Sequence, residues 1–340
     1  MRFSNMRVQE LGETQLIKII EKKVLEKTSK PLIRDDAFIF EQILETPEEV
    51  LILNTDMFVS TTDAPTQMST FQMGRKAILM NISDLIVKGV IPMAVIVSIG
   101  IPSKMTVKDF ESFIDGIVQC CVDWNIDYLG GDINKTKEII TNPTVFGLIK
   151  PSKMISRRGA KPGDFLAING KFGLTGVGFD ILLNKSHLFE KLHSKYEKAI
   201  SSVLEPNICK IEALTLSEHQ LASSSIDSSD GLARSLRELM RSNPKIGFNI
   251  ELNDNVVDQV AIEYSSEFDI PIEELIFNAG EEFIHIFTIN PKNLEDAIQE
   301  VKKAGGNLLV IGKVTSTEEI IYIKNEKEYK LKLKGFEHFT

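Results

Sequence analysis

The chain has 340 residues, 43% hydrophobic and 26% charged, a balance that excludes a disordered or fibrous polymer and supplies enough apolar material for more than one core. Its 39 basic and 48 acidic residues give a net charge of -9, and no Lys/Arg block marks a nucleic-acid footprint. Three cysteines, adjacent Cys120-Cys121 and isolated Cys209, form neither a disulfide framework nor a zinc motif, which fits a reducing compartment.

Met1 to Glu13 has no apolar signal core, and no apolar run reaches the roughly 18 residues that span a bilayer, so the expectation is a cytoplasmic protein. Leu16, Ile19, Ile20 and Val24 then recur at helical spacing over Gln15 to Leu25. Strand-like segments follow at Ala37 to Phe40 and Val50 to Asn54, each adjoining an acidic motif. Gly74 to Lys88 predicts a helix in which Ile78, Leu79, Ile82, Leu85 and Ile86 make one apolar stripe, with Asn81, Asp84 and Lys88 on the opposite face.

Ala94 to Ile101 reads as a buried strand, and Phe110, Phe113, Ile114, Ile117, Val118 and Cys121 mark a second amphipathic helix. Asp127 to Leu129 leads a strand into a Gly130-Gly131-Asp132 turn. Pro151, Gly159, Pro162 and Gly163 interrupt the periodic segments around Leu148 to Gly163, so a boundary is placed there, between domains 1–149 and 150–340. Beyond it come a strand at Phe165 to Asn169, glycines at 170, 173, 176 and 178, a helical stretch around Ile208 to Leu221, the Asp227-to-Gly231 motif, and β structure from Leu308 to Leu333.

Five short acidic motifs punctuate this pattern: Arg34-Asp35-Asp36, Asn54-Thr55-Asp56, Ser83-Asp84-Leu85, Gly130-Gly131-Asp132 and Asp227-Ser228-Ser229-Asp230-Gly231. Taken singly, each reads as a helix cap or turn, because Asp favours both for local hydrogen-bonding reasons. Their number at the ends of apolar runs points to oxygen ligands gathered around Mg²⁺ and to phosphoryl transfer. An acidic protein can bind an anionic nucleotide when bound cations reverse the local field.

Gly130-Gly131-Asp132 is open to two readings, a tight turn or a backbone cradle for phosphate oxygens beside a cation-holding Asp132. The Gly170 to Gly178 region lacks both the Walker order and GxGxxG, so it is assigned no catalytic role. Arg157 and Arg158 read equally as solvated linker charges and as a phosphate clamp. Gly280-Glu281-Glu282 reads, on composition, as a surface turn.

In their order along the chain, these motifs resemble the thiamine-monophosphate kinase family, part of the superfamily of aminoimidazole ribonucleotide synthetase, selenophosphate synthetase and a hydrogenase maturation factor. The resemblance runs through Gly12-Glu13, Leu16-Ile17, Asp35-Asp36, Thr55-Asp56, Lys76-Ala77, Asn81-Ile82-Ser83-Asp84-Leu85, Gly130-Gly131-Asp132, Arg157, Gly159-Ala160-Lys161-Pro162-Gly163-Asp164 and Asp227-x-Ser229-Asp230-Gly231-Leu232. It ends with Lys334-Gly335-Phe336-Glu337-His338-Phe339. It implies an α/β (α+β) chain with a two-domain synthetase-like fold. The first domain's mixed sheet would form a barrel across a homodimer, and a second α/β domain would cover nucleotide and substrate.

The resemblance further implies ATP-dependent conversion of thiamine monophosphate to thiamine diphosphate with several Mg²⁺ ions, and no nucleic-acid or membrane partner. By the same resemblance, Asp36, Asn54, Thr55, Asp56, Asp84, Asp132, Asp227 and Asp230 are metal ligands, and Asp36, Asp56, Asp84, Asp132 and Asp230 act electrostatically through the metal. Gly131, Asp132, Arg157 and Ser229 are implied ATP contacts. Asp63, Glu281 and Phe336 fall at substrate positions, where Phe336 suits a thiazolium ring by stacking and cation-π attraction.

The chain departs from the family pattern at Arg34 and Asn54, at Asp63, where many members carry a substrate-contacting His, at Ile133-Asn134, where Thr residues are common, and at Ala279-Gly280-Glu281-Glu282-Phe283. These departures bear on the substrate-phosphate pocket more than on the metal ligands. Two alternatives stand beside the kinase reading: a related ATP-dependent synthetase, against which the Lys334-to-Phe339 ending argues, and a catalytically silent nucleotide-binding homologue.

Overall fold

Residues alternate between the buried and half-buried faces along Val50–Asn54 (β2) and Ile140–Ile149 (β6), the period-two pattern of strands with one face on a core. The computed structural model describes Lys18 and residues 38–40, 48–332 and 335–336. Arg34, Asp35, Asp36, the Gln15-to-Leu25 segment and the ending apart from Gly335-Phe336 lie outside the described residues.

The first sheet also contains β1 (Phe38–Phe40), β3 (Phe58–Val59), β4 (Ala94–Pro102) and β5 (Asp127–Thr136), in the order β1-β2-β6-β4-β5 with β3 also on β6. Its pairs are antiparallel except β4 with β5, which the Val107–Trp124 helix connects as a crossover. The second sheet holds β7 (Phe165–Ile168), β8 (Ser224–Ser228), β9 (Gly247–Glu251), β10 (Ile284–Ile289), β11 (Leu309–Thr315), β12 (Ile320–Lys324) and β13 (Lys327–Lys330). Its order is β13-β12-β9-β11-β7-β10-β8, with only β9 and β12 parallel. The fold is therefore mixed α/β with two sheets. Among the described residues, no helix is long and apolar enough to cross a membrane.

The Thr70–Ile86 helix does most to position the site. It starts with a capping box, in which Ser69 Oγ accepts from the Gln72 N–H at 3.3 Å and Gln72 Oε1 accepts from the Ser69 N–H at 2.9 Å. It lies against the Val107–Trp124 helix at unusually close range because two glycines remove the obstructing side chains. A Cβ at Gly74 would stand 2.1 Å from the Phe113 carbonyl oxygen, and one at Gly116 would stand 2.0 Å from that of Phe71.

The polar face of the Thr70–Ile86 helix is buried as well as the apolar one. Lys76, Asn81 and Ser83 are fully enclosed and Asp84 nearly so, because Asp63 and Glu281 cover Lys76, Asp56 covers Asn81, Asp227 of β8 covers Ser83 and Asn54 covers Asp84. Just beyond the helix, Lys88 Nζ donates to the Ser225 carbonyl at 2.7 Å, filling a ladder position that would otherwise be wasted inside the protein. One apolar cluster accordingly runs from Val50 and Ile82 through to Phe287 and Val301, joining elements from both halves of the chain.

One expectation is corrected. Gly130-Gly131-Asp132 is not a turn, because β5 continues through it to Thr136 with a bulge, as Val95 pairs with Tyr128 and Ile96 with Gly130. Gly131 is required by close approach, since a Cβ there would lie 1.8 Å from the Val97 carbonyl oxygen of the neighbouring strand.

Candidate active site

Strand ends and the Thr70–Ile86 helix place the predicted acids in two connected groups. At the end of β2, Asn54 Nδ2 donates to Asp84 Oδ2 at 2.6 Å, both residues being buried. From the residue just before Asp84, Ser83 Oγ donates to Asp227 Oδ2 at 2.7 Å, tying the helix to the end of β8. Asn81 holds the backbone of Asp56 at both ends: its Oδ1 accepts from the Asp56 N–H at 2.7 Å and its Nδ2 donates to the Asp56 carbonyl at 3.3 Å. Thr55 Oγ1 donates to the Pro143 carbonyl at 2.7 Å on β6.

These contacts border a cavity of about 590 Å³ between the two sheets. Its wall includes Asp56, Asp63, Asp227, Ser229, Asp230, Glu281 and Phe336, all named by the sequence reading. Asn54, Thr55, Asp84, Gly131, Asp132 and Arg157 do not line it. Asp84 stands behind it as the chain neighbour of Ser83, which bonds Asp227 on the wall, and Asn54 stands behind Asp84, whereas Asp132 is exposed on the sheet-edge strand β5. The carbonyl of Arg157 accepts from Asn243 Nδ2 at 2.9 Å, and its guanidinium stands 4.0 Å from Glu238.

The aromatic position is set by backbone rather than by packing. The Phe336 N–H donates to the Asp230 carbonyl at 3.0 Å and the Gly335 N–H donates to Asn278 Oδ1 at 3.1 Å, so Gly335-Phe336 lies beside Asp230 with the ring half exposed.

Of Gly280-Glu281-Glu282, expected as a surface turn, Gly280 and Glu281 are instead cavity wall. Glu281 adopts a left-handed backbone with φ of 60°, and its N–H donates to the Ser229 carbonyl at 2.5 Å. Burial pushes its carboxyl above the ordinary range, opposed by Lys76 and assisted by Asp63. Glu282 turns away from the cavity and accepts from the Gly173 N–H at 2.6 Å. Burial pushes its carboxyl up to about 7 against the contacts from Gly173 and Thr175.

Sequence reasoning missed the far wall. Asp180, Leu183, Glu274 and Leu275 come from two π-helical turns, Asp180–Asn184 and Glu274–Asn278, and Phe179 and Ile270 from the segments that precede them. Burial raises the Asp180 carboxyl, but hydrogen bonds from Lys185, Asn184 and Tyr264, the last at 2.7 Å, outweigh it and hold the group below the usual carboxylate range. No motif marks these residues, because a π-turn has no sequence signature.

Seven carboxylates thus face the cavity, and no Lys, Arg or His lines it among the described residues. Nor do three His, Cys, Asp or Glu side chains come together into a preassembled metal cage among them. Hard oxygen donors in pairs suit Mg²⁺, which keeps several waters and is usually held by one or two carboxylates together with substrate phosphates.

Comparison with known proteins adds to this geometry. The family described as AIR synthase related protein, N-terminal domain, matches residues 34–149. A thiamine-monophosphate kinase of Nitrosopumilus maritimus (strain SCM1) is 31% identical over 332 residues, covering 98% of this chain and 100% of that protein. Another from Pyrococcus horikoshii is 28% identical over 296 residues, covering 85% of this chain and 86% of that one. Among solved structures, AaThiL complexed with AMPPCP and TMP matches with a TM-score of 0.80 at 25% identity, covering 98% of this chain and 99% of that one. Escherichia coli HypE, a hydrogenase maturation protein, shares the fold at a TM-score of 0.68 and 15% identity, covering 96% of this chain and 99% of that one.

Proposed function

Since the chain belongs to the thiamine-monophosphate kinase family, we propose that it transfers the terminal phosphoryl group of ATP directly to thiamine monophosphate, giving thiamine diphosphate and ADP. The observation that carries this reading is the cavity itself, with seven carboxylates, no basic residue in its described wall and Phe336 at its border. That the structurally similar AaThiL is complexed with both AMPPCP and TMP supports this pairing of ligands.

The acceptor phosphate monoester is largely dianionic at neutral pH, its second pKa being about 6, so it is already a nucleophile and needs no general base. The obstacle is electrostatic. Two like unit charges about 4 Å apart repel by about 4 kcal/mol at an effective dielectric of about 20, and here a dianion must approach a triphosphate in an acidic cavity. Mg²⁺, when bound, neutralises that charge and favours in-line geometry. Asp36, Asn54, Thr55, Asp56, Asp84, Asp132, Asp227 and Asp230 are the residues proposed to hold it.

The chain's own residues do the positioning. Asn54 and Ser83 each donate to one carboxylate oxygen, of Asp84 and Asp227 respectively, which fixes rotamers and leaves other lone pairs for a cation. Asn81 sets the backbone of Asp56 and thereby the direction of its side chain. Gly131, Asp132, Arg157 and Ser229 are proposed for ATP, and Asp63, Glu281 and Phe336 for the acceptor.

We place β5 at a two-fold homodimer interface. It is an edge strand bearing the exposed apolar residues Tyr128, Leu129 and Ile133, an arrangement that uncovered edges normally avoid. A mass by light scattering that stays at the monomer value would refute this. For the reaction, purified protein with ATP, Mg²⁺ and thiamine monophosphate should yield ADP and thiamine diphosphate in equal amounts. AMP, or free phosphate in place of the diphosphate product, would refute the reading.

A further inference from the structure

We infer that Lys76 is a positioning residue for acceptor recognition: one buried ammonium joins the two separate segments that carry Asp63 and Glu281. The inference deepens the functional reading above and rests on it.

Lys76 has no exposed surface and does not line the cavity. Its Nζ donates to the Asp63 carbonyl oxygen at 2.5 Å and lies 2.6 Å from both oxygens of Glu281. Asp63 ends the short Ser60–Asp63 helical turn, where its side chain accepts from the Val59 N–H at 2.7 Å, and Glu281 belongs to the loop between the Glu274–Asn278 turn and β10. The two segments are more than two hundred residues apart in sequence, and they meet through a side chain rooted in the rigid Thr70–Ile86 helix.

That link is needed for two reasons. Glu281 sits in a left-handed conformation that a β-carbon disfavours, and such a conformation persists only where its surroundings fix it. Its carboxylate is also enclosed near the other acids of a cavity wall without a base of its own, so an unopposed charge there would swing away or take up a proton. A buried ammonium gripping both oxygens opposes each tendency, and its remaining bond fixes Asp63 in the same frame. Met at 76 would fill the space and leave both segments untethered.

The test uses the full chain. Replacing Lys76 by Met, K76M, should raise KM for thiamine monophosphate by about tenfold or more while KM for ATP stays within about twofold, since a buried charge partner is lost at one ligand only. K76M and E281Q should also fail to add, the K76M/E281Q variant being no worse than the poorer single variant. Equal rises in both KM values, an unchanged acceptor KM, or fully additive effects would overturn the inference.

If K76M does not fold, the unaltered protein decides. Its Lys76 ammonium protons, shielded from water, should give a slowly exchanging NMR signal that shifts on adding thiamine monophosphate, and an unmoved signal at saturating acceptor overturns the inference. Failure of the functional reading shows separately, as absence of thiamine diphosphate formation by the unaltered protein.

Discussion

Glu282→Gln isolates a buried acid beside the cavity loop. Burial lifts the Glu282 carboxyl from its ordinary 4.5 to about 7, even with the Gly173 N–H donating to it at 2.6 Å. A gap of about 2.5 pH units at about 1.4 kcal/mol per unit comes to about 3 kcal/mol. Because the folded-state value is raised, the folded protein binds this proton more tightly than the unfolded chain does. The stability that proton contributes is complete below pH 4.5 and is lost as pH rises through about 7. Gln keeps the carbonyl that accepts from Gly173 and cannot ionise. Urea unfolding of both proteins should give nearly equal stabilities at pH 5 and an advantage for E282Q of up to about 3 kcal/mol at pH 8. A difference constant to within about 0.5 kcal/mol across that range would refute the reasoning.

Asp84→Asn should cut turnover by about a hundredfold or more while circular dichroism stays unchanged, because the amide oxygen still accepts from Asn54 but the charge is gone. Retained activity would remove Asp84 from the proposed ligand set. Gly116→Ala places a Cβ 2.0 Å from the Phe71 carbonyl and should lower stability by about 1–3 kcal/mol, read as a fall in the thermal midpoint. A chelator should abolish turnover and added Mg²⁺ should restore it, with dialysed, metal-free protein retaining its far-ultraviolet spectrum.

Periodicity carried much of the fold. Val50–Asn54 appears with the expected bounds, the 70–86 helix overlaps the expected 74–88 but starts four residues earlier and ends two earlier, and the 107–124 helix contains the expected apolar stripe, because these segments pack one face on a core. Burial of the second face of the 70–86 helix was not legible, since it comes from separate segments, at 54–63, 227 and 281, that only tertiary packing brings together. Gly130-Gly131-Asp132 misled for a related reason: glycines that mark turns also mark a strand pressed against a neighbouring backbone. At the cavity, Asp56, Asp227 and Asp230 could be named from acids at strand ends, whereas Asp180 and Glu274 could not, because π-turns leave no periodic trace. Lys76 was visible as part of a motif, but its partners 63 and 281 are fixed only by tertiary packing.

Diffraction from crystals grown with Mn²⁺, an uncleavable ATP analogue and thiamine monophosphate tests the central claim most directly. The account predicts anomalous peaks about 2 Å from carboxylate oxygens of Asp56 and Asp227, which line the cavity, and equally close to phosphate oxygens of both ligands. Both ligands bound with the cations elsewhere, or with none between their phosphates, would contradict it.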